Sequence, residues 1–157
     1  MIMSMSDVEE EIQTINITRE IEIAAPIEIA FEAMLEEVGS GGQMPDGKPF
    51  PMVIEQWPGG RWYRDLGTDA GHLWGHVQVI KPPTLLEMCG PLFMSFPSVN
   101  HVQYRLTANG DGTLLKFVHR AMGPIPDEIR ANVGKGWGYK LNRIAEIAGR
   151  LLSERRK

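Results

Sequence analysis

The sequence predicts an α+β fold: a curved antiparallel sheet of about six to seven strands wrapped around one long C-terminal helix. Three observations predict it. Pro126 to Leu152 is the only stretch whose helical periodicity runs long enough for a major helix. Residues 51–121 break into short strand-like runs separated by Pro and Gly turns. Ahead of them, the alternating run Thr14–Ala24 leads into an apolar stripe at helical spacing, which adds a first strand and one or two short helices after it.

Residues 1–12 carry no apolar run and are expected to form a disordered lead, leaving 13–157 as a single domain. In TINITREIEIA (14–24), Ile15, Ile17, Arg19, Ile21 and Ile23 share one parity, the mark of a half-buried strand. Ile27, Ala30, Phe31, Met34 and Leu35 then predict a helix from about Pro26 to Val38. It stops at Gly39-Ser40-Gly41-Gly42, and 39–50 reads as a loop. Met52–Trp57 and Arg61–Asp65 flank Pro58-Gly59-Gly60 as a hairpin. His72–Ile80 ends at Pro82-Pro83, and Thr84–Cys89 ends at Gly90-Pro91. Leu92–Ser98 is an apolar connection. Val99–Ala108 and Thr113–Ala121 flank Asn109-Gly110-Asp111-Gly112, the clearest hairpin signal in the chain. Parity there sets Val102, Tyr104, Leu106, Leu115, Phe117 and His119 on the inner face.

In the long helix, Ile129, Val133, Trp137, Leu141, Ile144 and Ala148 form one stripe, so the helix needs an apolar partner. Pro126 suits its first turn, and Asp127 and Glu128 complement the helix dipole. Gly134, Gly136 and Gly138 each cost roughly 1 kcal/mol relative to alanine. They either allow close packing around Trp137 or leave a soft segment over a pocket.

Composition excludes several functions. A net charge of -4 argues against a nucleic-acid binder, which would carry a basic patch. A single cysteine, Cys89, rules out an internal disulfide and a thiol-based zinc site, and it fits a cytoplasmic setting. No stretch is apolar enough for a membrane span, and the N-terminus does not resemble a secretory signal. Nucleophile elbow, metalloprotease, phosphate-loop and dinucleotide motifs are all missing. No catalytic residue, cofactor or metal is therefore assigned. His72 and His76 are expected on one strand face but roughly 13 Å apart, too far to chelate together, and His101 has outward parity.

Five motifs in order resemble a known family: Ala25-Pro26-Ile27-Glu28 with Phe31; Pro58-Gly59-Gly60-Arg61-Trp62; Gly75-His76-Val77 running to Pro82-Pro83 with Leu86; Gly112-Thr113 with Leu115, Phe117 and His119; and Gly136-Trp137 with Leu141 and Ile144. Together they resemble the START-like (SRPBCC) helix-grip superfamily, in its branch related to the activator of the heat-shock-90 chaperone ATPase (AHSA-type). The resemblance covers roughly Thr14 to Leu152 and departs from the pattern at the loop 39–50. It implies an elongated apolar cavity between sheet and last helix. Many proteins of this fold hold hydrophobic molecules there, and some are enzymes.

The expected function is thus binding of a small hydrophobic ligand in that cavity, with Trp62, Arg64, Tyr104, Phe117, His119, Val133, Trp137 and Leu141 as the ligand-binding residues. The alternatives are an enzyme acting on such a ligand and a co-chaperone-like protein-interaction domain. His119 is either a core histidine satisfied by a backbone carbonyl or an acid–base or ligand-orienting group with Tyr104 as companion. Arg64 is either exposed at its strand end or buried against a carboxylate. Leu92, Phe93, Met94 and Phe96 offer an adaptable apolar lining, though core filling explains them equally. A homodimer is the default assembly.

Overall fold

The computed structural model describes residues 2, 3 and 9–156, so half of the expected lead, Met1 and residues 4–8, lies outside the described residues. The elements are β1 (Gln13–Ile23), α1 (Ile27–Val38), β2 (Val53–Ile54), β3 (Arg61–Asp65), β4 (Gly71–Lys81), β5 (Leu85–Gly90), β6 (Val99–Asn109), β7 (Gly112–Gly123) and α2 (Asp127–Arg155). The strands form one seven-stranded antiparallel sheet in the order β1-β7-β6-β5-β4-β3-β2. Of the one or two short helices expected after β1, one forms.

Local sequence explains most of this. The β6–β7 hairpin closes on Asn109↔Gly112, with Gly110 at φ 60 as the first residue of a two-residue turn, where glycine carries the positive φ without strain. The register pairs Val102 with His119, Tyr104 with Phe117 and Leu106 with Leu115, all six side chains buried. Helix α2 runs unbroken through its glycines and buries Val133, Trp137, Leu141, Ile144 and Ala148 in the core, with Trp137 against Phe117 and His119 of β7. A side chain at Gly134 would meet the tip of the exposed Arg19 side chain of β1 at 2.9 Å, a group free to move aside.

Two expectations fail, both near the second edge. The strand expected over Met52–Trp57 shrinks to Val53–Ile54, because Glu55 turns to bind the Arg61 backbone and guanidinium. Gly60 then sits so close to Glu55 that a Cβ would lie 2.0 Å from its carbonyl oxygen. In β4, Trp62 pairs with Gly75 but Tyr63 pairs with Leu73, leaving Trp74 as an extra residue. That bulge reverses the parity. Trp74 and Val77 are consequently both buried, and His72 and His76 lie on opposite faces, not on one.

Helix α1 is keyed to the sheet by one buried bond. The Trp62 indole Nε1 donates at 2.7 Å to the Val38 carbonyl, an oxygen at a helix end that has no intrahelical partner. Trp62→Phe is expected to cost about 2–4 kcal/mol in urea unfolding, from the stranded carbonyl and the smaller ring. A loss under about 0.5 kcal/mol would show that the bond does not hold α1 in place.

Candidate functional site

Under α2 the groove is filled. Phe117 packs on Trp137 at 4.5 Å and on Tyr104 at 5.0 Å between ring centroids. Trp62, Tyr104, Phe117, His119 and Leu141 are all buried core residues here, Phe117 and His119 at 0% exposure.

His119 is held on both sides by side chains, where a backbone carbonyl was one expectation. Trp137 Nε1 donates to its Nδ1 at 2.9 Å, and Nε2 lies 2.8 Å from Asn100 Oδ1. An indole nitrogen can only donate, so Nδ1 must be bare and the proton must sit on Nε2, donating to Asn100. Asn100 in turn donates through Nδ2 to the Pro91 carbonyl at 3.3 Å and to Ser98 Oγ at 3.1 Å. Burial pulls the imidazole pKa down to about 4. A second ring proton would also point at the Trp137 N–H. His119 is therefore a neutral strut. Tyr104 is no companion to it, since both ring nitrogens are taken; burial, with the Glu37 charge adding, pushes its hydroxyl pKa well up.

Open space begins further out along the helix. A cleft of about 290 Å³ is lined by Gln43, Met44, Pro45, Phe50, Trp74, Phe93, Gly136, Tyr139 and Lys140. A smaller hollow of about 120 Å³ shares Trp74, Phe93, Gly136 and Lys140 with it and adds Val133 and Trp137. Three segments make the walls. The bulge turns Trp74 inward, 5.9 Å from Phe50 and 6.0 Å from Phe93. Leu92, at φ 56 and fully buried, donates its N–H to the Trp74 carbonyl and sets Phe93 over the opening. The loop 39–50 closes one side, with Gln43 Oε1 accepting from the Tyr139 hydroxyl at 3.3 Å. On the helix, Gly136 leaves its face bare, with nothing within 4 Å of where a Cβ would stand.

Of the residues expected from sequence, Val133 and Trp137 line this space. Arg64 stands half-buried behind it, 4.2 Å over the Phe50 ring, its Nη1 donating to the Pro51 carbonyl at 2.8 Å. A ring face and a carbonyl thus serve where a carboxylate or open solvent was expected. Sequence reasoning did not single out Asn100, Trp74 or Lys140. Asn100 shares parity with Val102 and was within reach of that rule. Trp74 was hidden by the bulge. Lys140 gives no local signal, because its partner Glu37 is 103 positions away.

Glu37 is 1% exposed and binds Lys140 Nζ through Oε1 at 3.1 Å. Burial raises its pKa, opposed by Lys140 and Arg143. Among the described residues, no group of three His, Cys, Asp or Glu side chains is placed to hold a metal ion. An open hollow of about 670 Å³ at the far end, beside Gly110 and Asp111, has no aromatic wall and is rimmed by Glu28, Asp111 and Arg156. It lacks the features of a site for an apolar molecule.

Residues 47–149 match the model of the family described as Activator of Hsp90 ATPase homolog 1-like protein. No curated protein sequence matches the chain. Similar solved structures include an uncharacterised protein from Rhizobium leguminosarum, 17% identical with a TM-score of 0.69 over 91% of this chain and 99% of that one. CalU16 from Micromonospora echinospora is 18% identical, with a TM-score of 0.63 over 93% and 88%. The di-domain ARO/CYC StfQ from the steffimycin biosynthetic pathway is 12% identical, with a TM-score of 0.64 over 89% and 52%. At these identities the likeness is one of fold.

The depressed His119 pKa makes stability depend on pH. The unfolded histidine takes up a proton near its ordinary 6.5 while the folded one refuses it until about 4. Its contribution is therefore complete above about pH 6.5 and lost as pH falls toward 4, by up to about 3 kcal/mol. Urea unfolding at pH 7 and pH 4.5 should show the loss. In His119→Gln, which can still accept from Trp137 and donate to Asn100, this part of the pH dependence should vanish. An NMR titration placing His119 near 6.5 would refute the strut assignment.

Proposed function

Since the chain belongs to the family of Activator of Hsp90 ATPase homolog 1-like proteins, with the START-like helix-grip fold, we propose that it binds a small hydrophobic molecule in the cleft between α2, the β4 bulge and the loop 39–50. The observation that carries this reading is the pairing of an aromatic-walled cleft with a bare helix face at Gly136. Glycine inside a helix costs stability, so a position that keeps one where a side chain would fit points to space with a use. The neutral, doubly bonded His119 supports a binding role over acid–base catalysis, because its one proton is held by Asn100 and its one lone pair by Trp137.

The cleft walls come from segments far apart in the chain, so a ligand there would bind the folded state alone and raise its melting temperature. Fused aromatic compounds or fatty acids at saturating concentration are the probes. Gly136→Leu is expected to do two opposite things. It raises the melting temperature of the free protein by about 2–4 °C through helix propensity, and it removes the ligand-induced rise by filling the cleft. A wild-type protein that neither class of probe stabilises, and that carries no compound in native mass spectrometry, would retire the reading.

A further inference from the structure

Lys140 is the one charged side chain among the residues lining the cleft and its adjoining hollow. We propose that the cleft selects a flat aromatic anion, its rings among Trp74, Phe50, Phe93 and Tyr139 and its carboxylate or phenolate oxygen accepting from Lys140 Nζ. This rests on the reading of the cleft as a ligand site and names the chemistry of its ligand.

The ammonium is in place to do this. One of its three donors is spent on Glu37 Oε1 at 3.1 Å, and the side chain keeps 22% exposure. Glu37 lies behind it at 1% exposure, fixing where the charge stands. The balance around that carboxylate is positive: Lys140 and Arg143 both act on Glu37, two cations to one buried anion. Arg143 also meets Glu146, but that carboxylate is 68% exposed and screened by solvent.

The shape of the cleft selects the rest of the ligand. Trp74 is in contact with Phe50 at 48° and with Phe93 at 63°, so a ring laid against this tilted wall meets both faces and edges. Gly136 removes the one helix side chain that would stop such a ring from reaching Lys140 one turn later. An aliphatic chain would fill the space as well, but would gain nothing from the tilted rings.

The test is calorimetric titration of the whole chain with 2-naphthoate and with 2-naphthamide, which share a shape and differ in charge. The unmodified protein should prefer naphthoate on the order of ten-fold, the scale of one charge-assisted hydrogen bond. Lys140→Met should bring that ratio to about one. Glu37→Gln, which keeps the shape and frees the ammonium, should raise it. If Lys140→Met does not fold, Glu37→Gln decides alone, and a ratio that fails to rise overturns the proposal. Equal affinity for both probes, unmoved by either substitution, overturns the anion preference and leaves the cleft as a binding site. Binding of neither probe overturns the aromatic-anion proposal, and the cleft as a ligand site then rests on the fatty-acid and native mass spectrometry results.

Discussion

Three side chains, Trp137, His119 and Asn100, tie the long helix to the sheet and the sheet to the loop 91–98. The chemistry of the chain admits one direction only. An indole can donate and not accept, which strips the proton from one imidazole nitrogen and places it on the other, and this orients the Asn100 amide. Each member is buried, so a break anywhere would strand a polar atom where water cannot reach it. An apolar core could hold the helix as firmly. It would not specify the axial position of α2 so narrowly.

That position decides where the molecule is solid and where it is open. Around the strut, Tyr104, Phe117 and Trp137 consume the volume between helix and sheet. One residue before Trp137 the helix carries glycine, and the walls there are side chains that lean in from elsewhere: Trp74 from a bulged strand, Phe93 from the loop Asn100 braces, and Phe50 from the long connection. The same network thus packs the middle of the groove and supports one wall of the cleft at its end.

Electrostatics follow the same division. The central groove holds neutral groups, with His119 and Tyr104 kept uncharged by burial. Charge gathers where α1 meets α2, in Glu37, Lys140 and Arg143. A buried ion pair is a poor source of net stability, since desolvation offsets most of its attraction. Its effect here is positional: it holds a lysine ammonium at the inner edge of an otherwise apolar cleft.

The sequence by itself determined the element order, the long amphipathic helix, and the β6–β7 register with His119 facing inward. Those are read from local periodicity, and a period of two or 3.6 residues assigns a face wherever the element is regular. Regularity fails at Trp74, where one extra residue reversed the parity and separated His72 from His76, and at Glu55, where a side chain bound the backbone and cut β2 short. Only the tertiary structure decided that Asn100 completes the His119 strut, that Lys140 meets Glu37, and that space remains beside Gly136 instead of beside Tyr104. The physical reason is that a periodic pattern says which way a side chain points. Whether it meets a partner or a void depends on volumes brought together from a hundred residues away.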